Sequence, residues 1–186
     1  MKLYGSYTSP FVRHCRIALA ESGQHFEFIE TDYAQSAAGS PTQRVPFLRI
    51  GELQLHDSSS ILKYIREHSG DEFLSDLISY DRYCLVNTAL DTCINLFLLE
   101  RDGFTPEQIP YLKRQQARID AILQELNDLG WPEEAPWNDA TIRLACFLDW
   151  ALFRQRLDLS GYPQLLNILE QAREKNVFTN TAPTQS

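Results

Sequence analysis

The sequence lacks several features that mark whole classes of protein. No apolar run approaches the ~18 residues that a membrane-spanning helix needs, and the first seven residues, MKLYGSY, are too short and too polar for a secretory signal. Basic residues are in the minority, because 17 Lys and Arg face 25 Asp and Glu, for a net charge of −8. Nucleic acids and anionic membrane surfaces select basic faces. We therefore expect a cytoplasmic protein that binds neither nucleic acid nor membrane.

Cysteine is also sparse. The four cysteines form no C-x-x-C pair and no metal-like grouping with the four histidines. Three of them fall on apolar faces of predicted helices, where a free cysteine behaves as a small apolar residue. We therefore expect core cysteines and no bound metal. The cysteines are Cys15, Cys84, Cys93 and Cys146.

The first third of the chain alternates between strand and helix patterns. Residues 33–44 are small and polar, which predicts a loop or a poor short helix. Ser58 or Ser59 is expected to cap the helix that follows. This order predicts an α/β domain of the thioredoxin-like type, with a mixed four-stranded sheet over residues 1–67. The predicted elements are strand Lys2–Gly5, helix Pro10–Ser22 ended by Gly23, strand Phe26–Glu30, hairpin strands Phe47–Ile50 and Leu53–Leu55, and a helix containing Ile61, Leu62 and Ile65.

The rest of the chain has a helical pattern. Residues 68–75 interrupt the apolar periodicity and predict a linker, so residues 76–186 form an all-helical second domain. Thr105-Pro106 is typical of a helix start, and the tail from Thr179 onward is polar, which predicts fraying. The expected helices are a long one over 76–100, one from Thr105 to Leu129, one capped by Asn138, and one over 164–175.

The stretch from Tyr7 to Arg13 carries the first chemical signal. Ser9 precedes Pro10, and proline suits the first helical turn because its missing N–H would have no intrahelical partner there. Ser9 therefore lies where backbone N–H groups and the positive end of the helix dipole favour an anion, including a thiolate. For an isolated Ser-Pro before a helix, an ordinary N-cap is the better explanation, so the chemical interpretation depends on the motifs in the rest of the segment.

A set of motifs in the first 65 residues resembles the glutathione-binding domain of the cytosolic glutathione transferases, most closely the bacterial members that use serine. The helical domain is also similar to that family, in which an acidic residue usually closes the capping box after Asn138, where this chain has Thr141. The resemblance implies a glutathione co-substrate, a small hydrophobic electrophile and a homodimer. The motifs are Ser9-Pro10-Phe11-Val12-Arg13, Arg16–Glu21, Arg44-Val45-Pro46-Phe47-Leu48, Asp57-Ser58 and Ile61.

The resemblance also implies roles for individual residues. Val45, before a Pro46 expected in cis, would pair its backbone with the cysteinyl part of glutathione. Asp57 would take the γ-glutamyl ammonium and Ser58 its carboxylate. Phe11 belongs to the same expected glutathione site. Arg44 could contact the glycyl carboxylate or lie solvated in its loop.

Ser9 is the candidate catalytic group, which would donate its hydroxyl proton to the glutathione sulfur. Thr8 and Tyr7 remain alternatives, as does a site without a catalytic side chain, and His14 is expected on the surface. Ser9 and Val12 stand where glutaredoxins carry two cysteines, so an internal dithiol cycle is excluded.

Three functions fit these residues. The first is conjugation of glutathione to an electrophile in detoxification. The second is glutathione-dependent reduction of peroxides or disulfides at the same site. The third is a regulatory or binding module without turnover. The joint presence of Ser9, Val45-Pro46 and Asp57-Ser58 favours an enzyme, because a binding module needs no such set.

Overall fold

The computed structural model describes residues 1–183. They form two compact units: residues 1–75 together with the chain from Arg173, and residues 76–172. The sequence prediction assigned the last residues to the helical domain and ended the first domain at residue 67.

The first unit is built on a four-stranded mixed sheet in the order β2-β1-β3-β4. β1 runs parallel to β2 and antiparallel to β3, and β3 and β4 form the predicted hairpin. This confirms the thioredoxin-like fold. The elements are β1 Lys2–Gly5, α1 Pro10–Ser22, β2 Glu27–Glu30, α2 Tyr33–Gly39, β3 Phe47–Ile50, β4 Leu53–Leu55, α3 Ser58–Ser69 and, near the C-terminus, α8 Asn176–Thr179.

Local signals explain where the first helices begin and end. α1 starts after Ser9 and ends at Gly23, whose φ of 64° suits glycine. The region predicted as a loop or poor helix contains α2, because Asp32 and Gln35 form a capping box at its start. The prediction that a serine caps α3 was wrong. Asp57 is the N-cap, and its carboxylate accepts from the Ser59 N–H at 2.7 Å.

α1 is packed tightly onto β1 and α3. A Cβ added to Gly5 would lie 2.5 Å from Val12, so only glycine allows this approach between strand and helix. Arg66 of α3 forms an ion pair with Glu21 of α1 at 2.9 Å. These contacts fix the position of the N-terminal turn of α1 against the sheet.

The C-terminal segment covers another face of α1. Arg13 is buried, donates to the Phe178 carbonyl oxygen at 2.8 Å and lies over the Phe178 ring. Thr181 is buried as well and accepts from Arg13. The expected fraying is therefore wrong up to Thr181, and residues 184–186 lie outside the described residues. His14, expected on the surface, is fully buried.

The second unit is helical. Its helices are α4 Leu77–Arg101, α5 Pro110–Asp128, α6 Asp139–Phe153 and α7 Pro163–Arg173, the last of which ends at the boundary of the unit. The predicted start at Thr105 was wrong: Thr105 and Gln108 close a turn, and α5 begins at Pro110. Within residues 1–183, no helix is both long enough and apolar enough to cross a membrane.

The start of α6 confirms the predicted cap. The Asn138 side chain accepts from the N–H groups of Ala140 and Thr141, and the Thr141 hydroxyl accepts in return from the Asn138 N–H at 3.1 Å. Thr141 therefore closes the capping box in the place where the family usually has an acidic residue.

Candidate functional site

The strand register brings three chain segments to one end of the sheet. Tyr4 of β1 pairs with Phe47 of β3, and Leu48 of β3 pairs with Leu55 of β4. The end of β1, the start of β3 and the end of β4 therefore lie side by side. The segments that contain Ser9, Val45 and Asp57 join the sheet at this end, which we call the site end.

Two helix N-termini also lie at the site end. α1 follows β1, α3 follows β4, and the two helices pack against each other. Each N-terminus has backbone N–H groups without intrahelical acceptors and carries about half a positive charge. The site end is therefore suited to an anionic ligand.

Ser9 is half-buried in the first of these N-termini. Its hydroxyl oxygen accepts from the Val12 N–H at 3.4 Å, which is a long contact. Its own O–H donates to no residue among the 183 that the structure describes. A hydroxyl in this position can cap the helix and donate to a ligand atom at the same time.

Thr8 and Tyr7 are engaged differently. The Thr8 hydroxyl is paired with that of Ser6 at 3.1 Å. The Tyr7 ring packs on Phe28 of β2, and the guanidinium of Arg16 lies 4.8 Å from its centroid. Burial lowers the pKa of Arg16, and Tyr7 partly opposes this effect. β2 is on the far side of β1 from β3 and β4, so Tyr7 is directed away from the other site segments.

The loop before β3 is held by a polar network that sequence reasoning missed. Buried Ser40 contacts Thr42 at 2.9 Å and the Nδ1 atom of His56 at 3.1 Å. Gln54 donates to the Gly39 carbonyl oxygen at 2.7 Å. These contacts tie the end of α2 to the residues before Asp57. Only the polar character of Ser40 and His56 hints at this network in the sequence.

The remaining predicted residues occupy the same region of the chain. The Val45–Pro46 peptide bond is cis, as expected. Arg44 is exposed beside it, and Phe11 is half-buried in the first turn of α1. Ser58 is buried in the first turn of α3. Among residues 1–183, no three His, Cys, Asp or Glu side chains are grouped as a metal site.

Comparison with known proteins agrees with this geometry. The family described as "Glutathione S-transferase, N-terminal domain" matches residues 3–73. An uncharacterized GST-like protein of Escherichia coli K12, YibF, is 30% identical over 202 aligned positions that cover 100% of both chains. A probable glutathione S-transferase of rice, GSTF2, is 35% identical over 83 residues, 41% of this chain and 39% of the rice protein.

Solved structures show the same fold. A glutathione S-transferase from Methylobacillus flagellatus with glutathione bound superposes with a TM-score of 0.85 at 21% identity, over 98% of this chain and 99% of that one. The full-length similarity to YibF and the domain match together establish the family. The chain belongs to the glutathione transferase superfamily.

Proposed function

We propose that the protein is a glutathione transferase in which Ser9 stabilises the glutathione thiolate for attack on a small hydrophobic electrophile. Family membership supports a glutathione-utilising transferase, and related structures have been solved with glutathione bound. The main support for the role of Ser9 is its hydroxyl group, which lies at a helix N-terminus of the site end. The oxygen accepts from the Val12 N–H, and the proton remains available to donate to a ligand.

The dimensions of the site end match a tripeptide. Neighbouring strands lie about 4.8 Å apart, so the ends of β1 and β4 are separated by roughly 10 Å. An extended tripeptide has about this length. The γ-glutamyl group would bind at Asp57 and Ser58, the cysteinyl backbone would pair with Val45, and the sulfur would lie near Ser9.

Charge supports the same orientation. The γ-glutamyl carboxylate would accept from the Ser58 hydroxyl and the N–H groups at the start of α3. The Asp57 carboxylate, which is exposed, would receive the ammonium. Arg44 is close in sequence to Val45 and exposed, so it would reach the glycyl carboxylate. Phe11 would supply an apolar contact near the sulfur.

In the reaction, the glutathione thiol loses its proton to solvent, and the Ser9 O–H donates to the resulting sulfur anion. This lowers the thiol pKa from the ~8.5 of a free cysteine. The sulfur lone pair then forms a C–S bond with the electrophilic carbon. In a substitution the displaced electron pair departs with the leaving group, and in an addition the displaced π pair moves to the far atom of the π system, which takes a proton from solvent. Ser9 keeps its own proton throughout.

The thiolate absorbance of bound glutathione near 240 nm tests this role as a function of pH. We expect an apparent pKa below 7.5 in the wild type, a rise of at least one unit in Ser9→Ala, and recovery in Ser9→Thr. Thr8→Val and Tyr7→Phe serve as matched controls that leave the pKa unchanged. If the thiol pKa of glutathione bound to the saturated wild type equalled that of free glutathione, the role of Ser9 would be overturned.

A further inference from the structure

His56 directly precedes the two residues that would bind the γ-glutamyl group, Asp57 and Ser58. The ladder between β3 and β4 ends at Leu55, so His56 is the first residue beyond it. The His56 side chain is half-buried and belongs to the polar network that includes Ser40. The imidazole ring is therefore attached to the short segment between the sheet and the start of α3.

The amide of Gln54 fixes the direction of the hydrogen bonds in this network. Its Oε1 atom accepts from the Nε–H of Arg49 at 2.9 Å, and its Nε2 atom donates to the Gly39 carbonyl oxygen at 2.7 Å. Because arginine only donates and a carbonyl oxygen only accepts, these two partners fix the orientation of the amide. The Nε2 atom also lies 3.4 Å from the Nδ1 atom of His56. Nδ1 is therefore next to an N–H donor and must be an acceptor.

Ser40 supplies the second donor to the ring. Its buried hydroxyl lies 3.1 Å from Nδ1 of His56 and 2.9 Å from the hydroxyl of Thr42. Because Nδ1 is an acceptor, the single hydroxyl proton of Ser40 is donated to it. The Ser40 oxygen in turn accepts from the hydroxyl and the backbone N–H of Thr42. The His56 ring is therefore neutral, with its proton on Nε2.

These bonds connect two chain segments that would contact glutathione. Ser40 follows α2 and begins the loop that leads to Val45, and a bond from the Gln43 N–H to the Ser40 carbonyl oxygen, at 2.9 Å, closes the first turn of this loop. On the other side of the connection, His56 leads into Asp57, the N-cap of α3. The ring therefore links the start of α3 to the loop that carries Val45.

A contribution to folding alone is the main alternative, because buried polar groups need hydrogen-bond partners wherever they lie. Both donors, however, have another acceptor close by. The Ser40 hydroxyl lies within hydrogen-bond distance of Thr42, and the Gln54 amide already donates to Gly39. The need to satisfy these donors therefore does not account for an imidazole beside Asp57.

We propose that His56 is a positioning residue for the γ-glutamyl group of glutathione. Its Nδ1 atom accepts from two donors outside α3 and thereby holds Asp57 and Ser58 in place, while the ring itself does not contact the ligand. The inference rests on the proposed function, because it concerns the same glutathione site. Ser9 lies on α1, so this role concerns the affinity for glutathione and leaves the thiol pKa of the bound ligand unchanged.

Two variants of His56 separate the roles of the two ring nitrogens. In His56→Asn an amide oxygen lies as many bonds from the backbone as Nδ1 does, so it can accept from both donors. In His56→Gln the amide reaches the place of Nε2 instead and leaves Nδ1 without a substitute. Calorimetric titration of the full chain with glutathione should give a Kd within about threefold of wild type for His56→Asn and about tenfold or more weaker for His56→Gln.

Ser40→Ala tests the same bond from the other side. It removes the hydroxyl donor and should weaken glutathione binding by a factor similar to that of His56→Gln. Because both changes break one bond, the double variant should bind no more weakly than either single variant. His68→Leu is the matched control and should leave the Kd unchanged, since His68 lies at the far end of α3 and its Nδ1 atom contacts the Tyr64 carbonyl oxygen at 2.8 Å.

A spectroscopic readout separates positioning from a general loss of structure. At saturating glutathione, the thiolate absorbance should give the same thiol pKa in His56→Gln as in the wild type, whereas damage to the whole site would raise this pKa as well. Urea unfolding verifies that each variant is folded. Should His56→Gln fail to fold, the comparison of Ser40→Ala with His56→Asn decides.

Several results would overturn the positioning role while wild type still binds glutathione. These are unchanged affinity in folded His56→Gln or Ser40→Ala, equal weakening in both His56 variants, equal weakening in His68→Leu, or a raised thiol pKa in His56→Gln. Retention of binding in His56→Gln together with its loss in His56→Asn would assign a direct contact to Nε2 instead. Absence of binding to folded wild type would overturn the proposed function itself, and this role with it.

Discussion

The guanidinium of Arg13 lies 3.7 Å from the ring centroid of Phe178, although 165 residues separate the two in the chain. Both side chains are buried. The contact joins the last helix to α1, whose first turn follows Ser9. The C-terminal segment therefore helps to hold the helix that carries the candidate catalytic group.

Phe178→Ala should destabilise the protein by about 3–5 kcal/mol, because it leaves a cavity beside a buried charge. Phe178→Leu keeps most of the volume and should cost less than half as much. The free energy of unfolding in urea measures both. Phe104→Ala is the control, since Phe104 is 48% exposed and its loss should cost no more than about 0.5 kcal/mol. Equal costs for Phe178→Ala and Phe104→Ala would contradict the account.

Cys93 should be unreactive in the native protein. Burial is the main cause that raises the pKa of its thiol to about 11, and Arg156 partly opposes this effect. At pH 8 about one molecule in a thousand would then carry the thiolate, the form that reacts. Ellman's reagent should therefore label half-buried Cys84 first. Cys93→Ala should leave the fast phase unchanged, whereas Cys84→Ala should remove it. The reverse pattern would show that Cys93 is accessible.

Asp76 should make stability depend on pH in the acid range. It caps α4, and the N–H and hydroxyl of Ser79 lower the pKa of its carboxyl below the ordinary 3.8. Because the pKa of this carboxyl is lower in the native state than in the unfolded state, its ionised form stabilises the fold at pH values above the unfolded-state pKa. This contribution is lost as the pH falls through the native-state pKa.

Asp76→Asn keeps a capping oxygen but removes the ionisation. The stability difference between wild type and Asp76→Asn should therefore be constant above about pH 5 and shrink below 3.8. Urea unfolding across this range measures the difference. A difference that stayed the same down to pH 2.5 would exclude the proposed ionisation.

Local patterns were sufficient to predict the sheet and the order of the segments that carry the candidate site residues. The hairpin around Gly51, the glycine stop at Gly23 and the Asn138 cap all depend on neighbouring residues, and the structure confirms them. The site segments follow from the strand order, because the order fixes which loops share one end of the sheet.

Errors arose where distant residues or competing caps decide the outcome. His14 and Thr181 are buried in a unit to which the C-terminal segment also belongs, a placement that no local pattern shows. At α3 several adjacent residues can cap, and Asp57 caps in place of the expected serine. After Thr105 the chain forms a turn in place of the expected helix, because the Gln108 side chain accepts from the Thr105 N–H. The helix begins at Pro110.

The same dependence on context applies to the three arginines whose guanidinium groups lie around the ring of Phe97. Arg101 comes from the end of α4, whereas Arg154 and Arg156 follow α6. In the sequence they are ordinary charges at helix ends. Only the packing of α4 with α6 places all three around the ring of Phe97.

Binding of glutathione at the start of α3 is the central claim, and calorimetry tests it most directly. Asp57→Asn/Ser58→Ala keeps a capping oxygen but removes the charge and the hydroxyl, and Ser69→Ala at the other end of α3 is the matched control. We predict micromolar to millimolar binding in the wild type, in Ser69→Ala and in Ser9→Ala. Binding should weaken at least tenfold in the double variant. The account would be contradicted if folded wild type gave no heat of glutathione binding, or if the double variant bound glutathione with unchanged affinity.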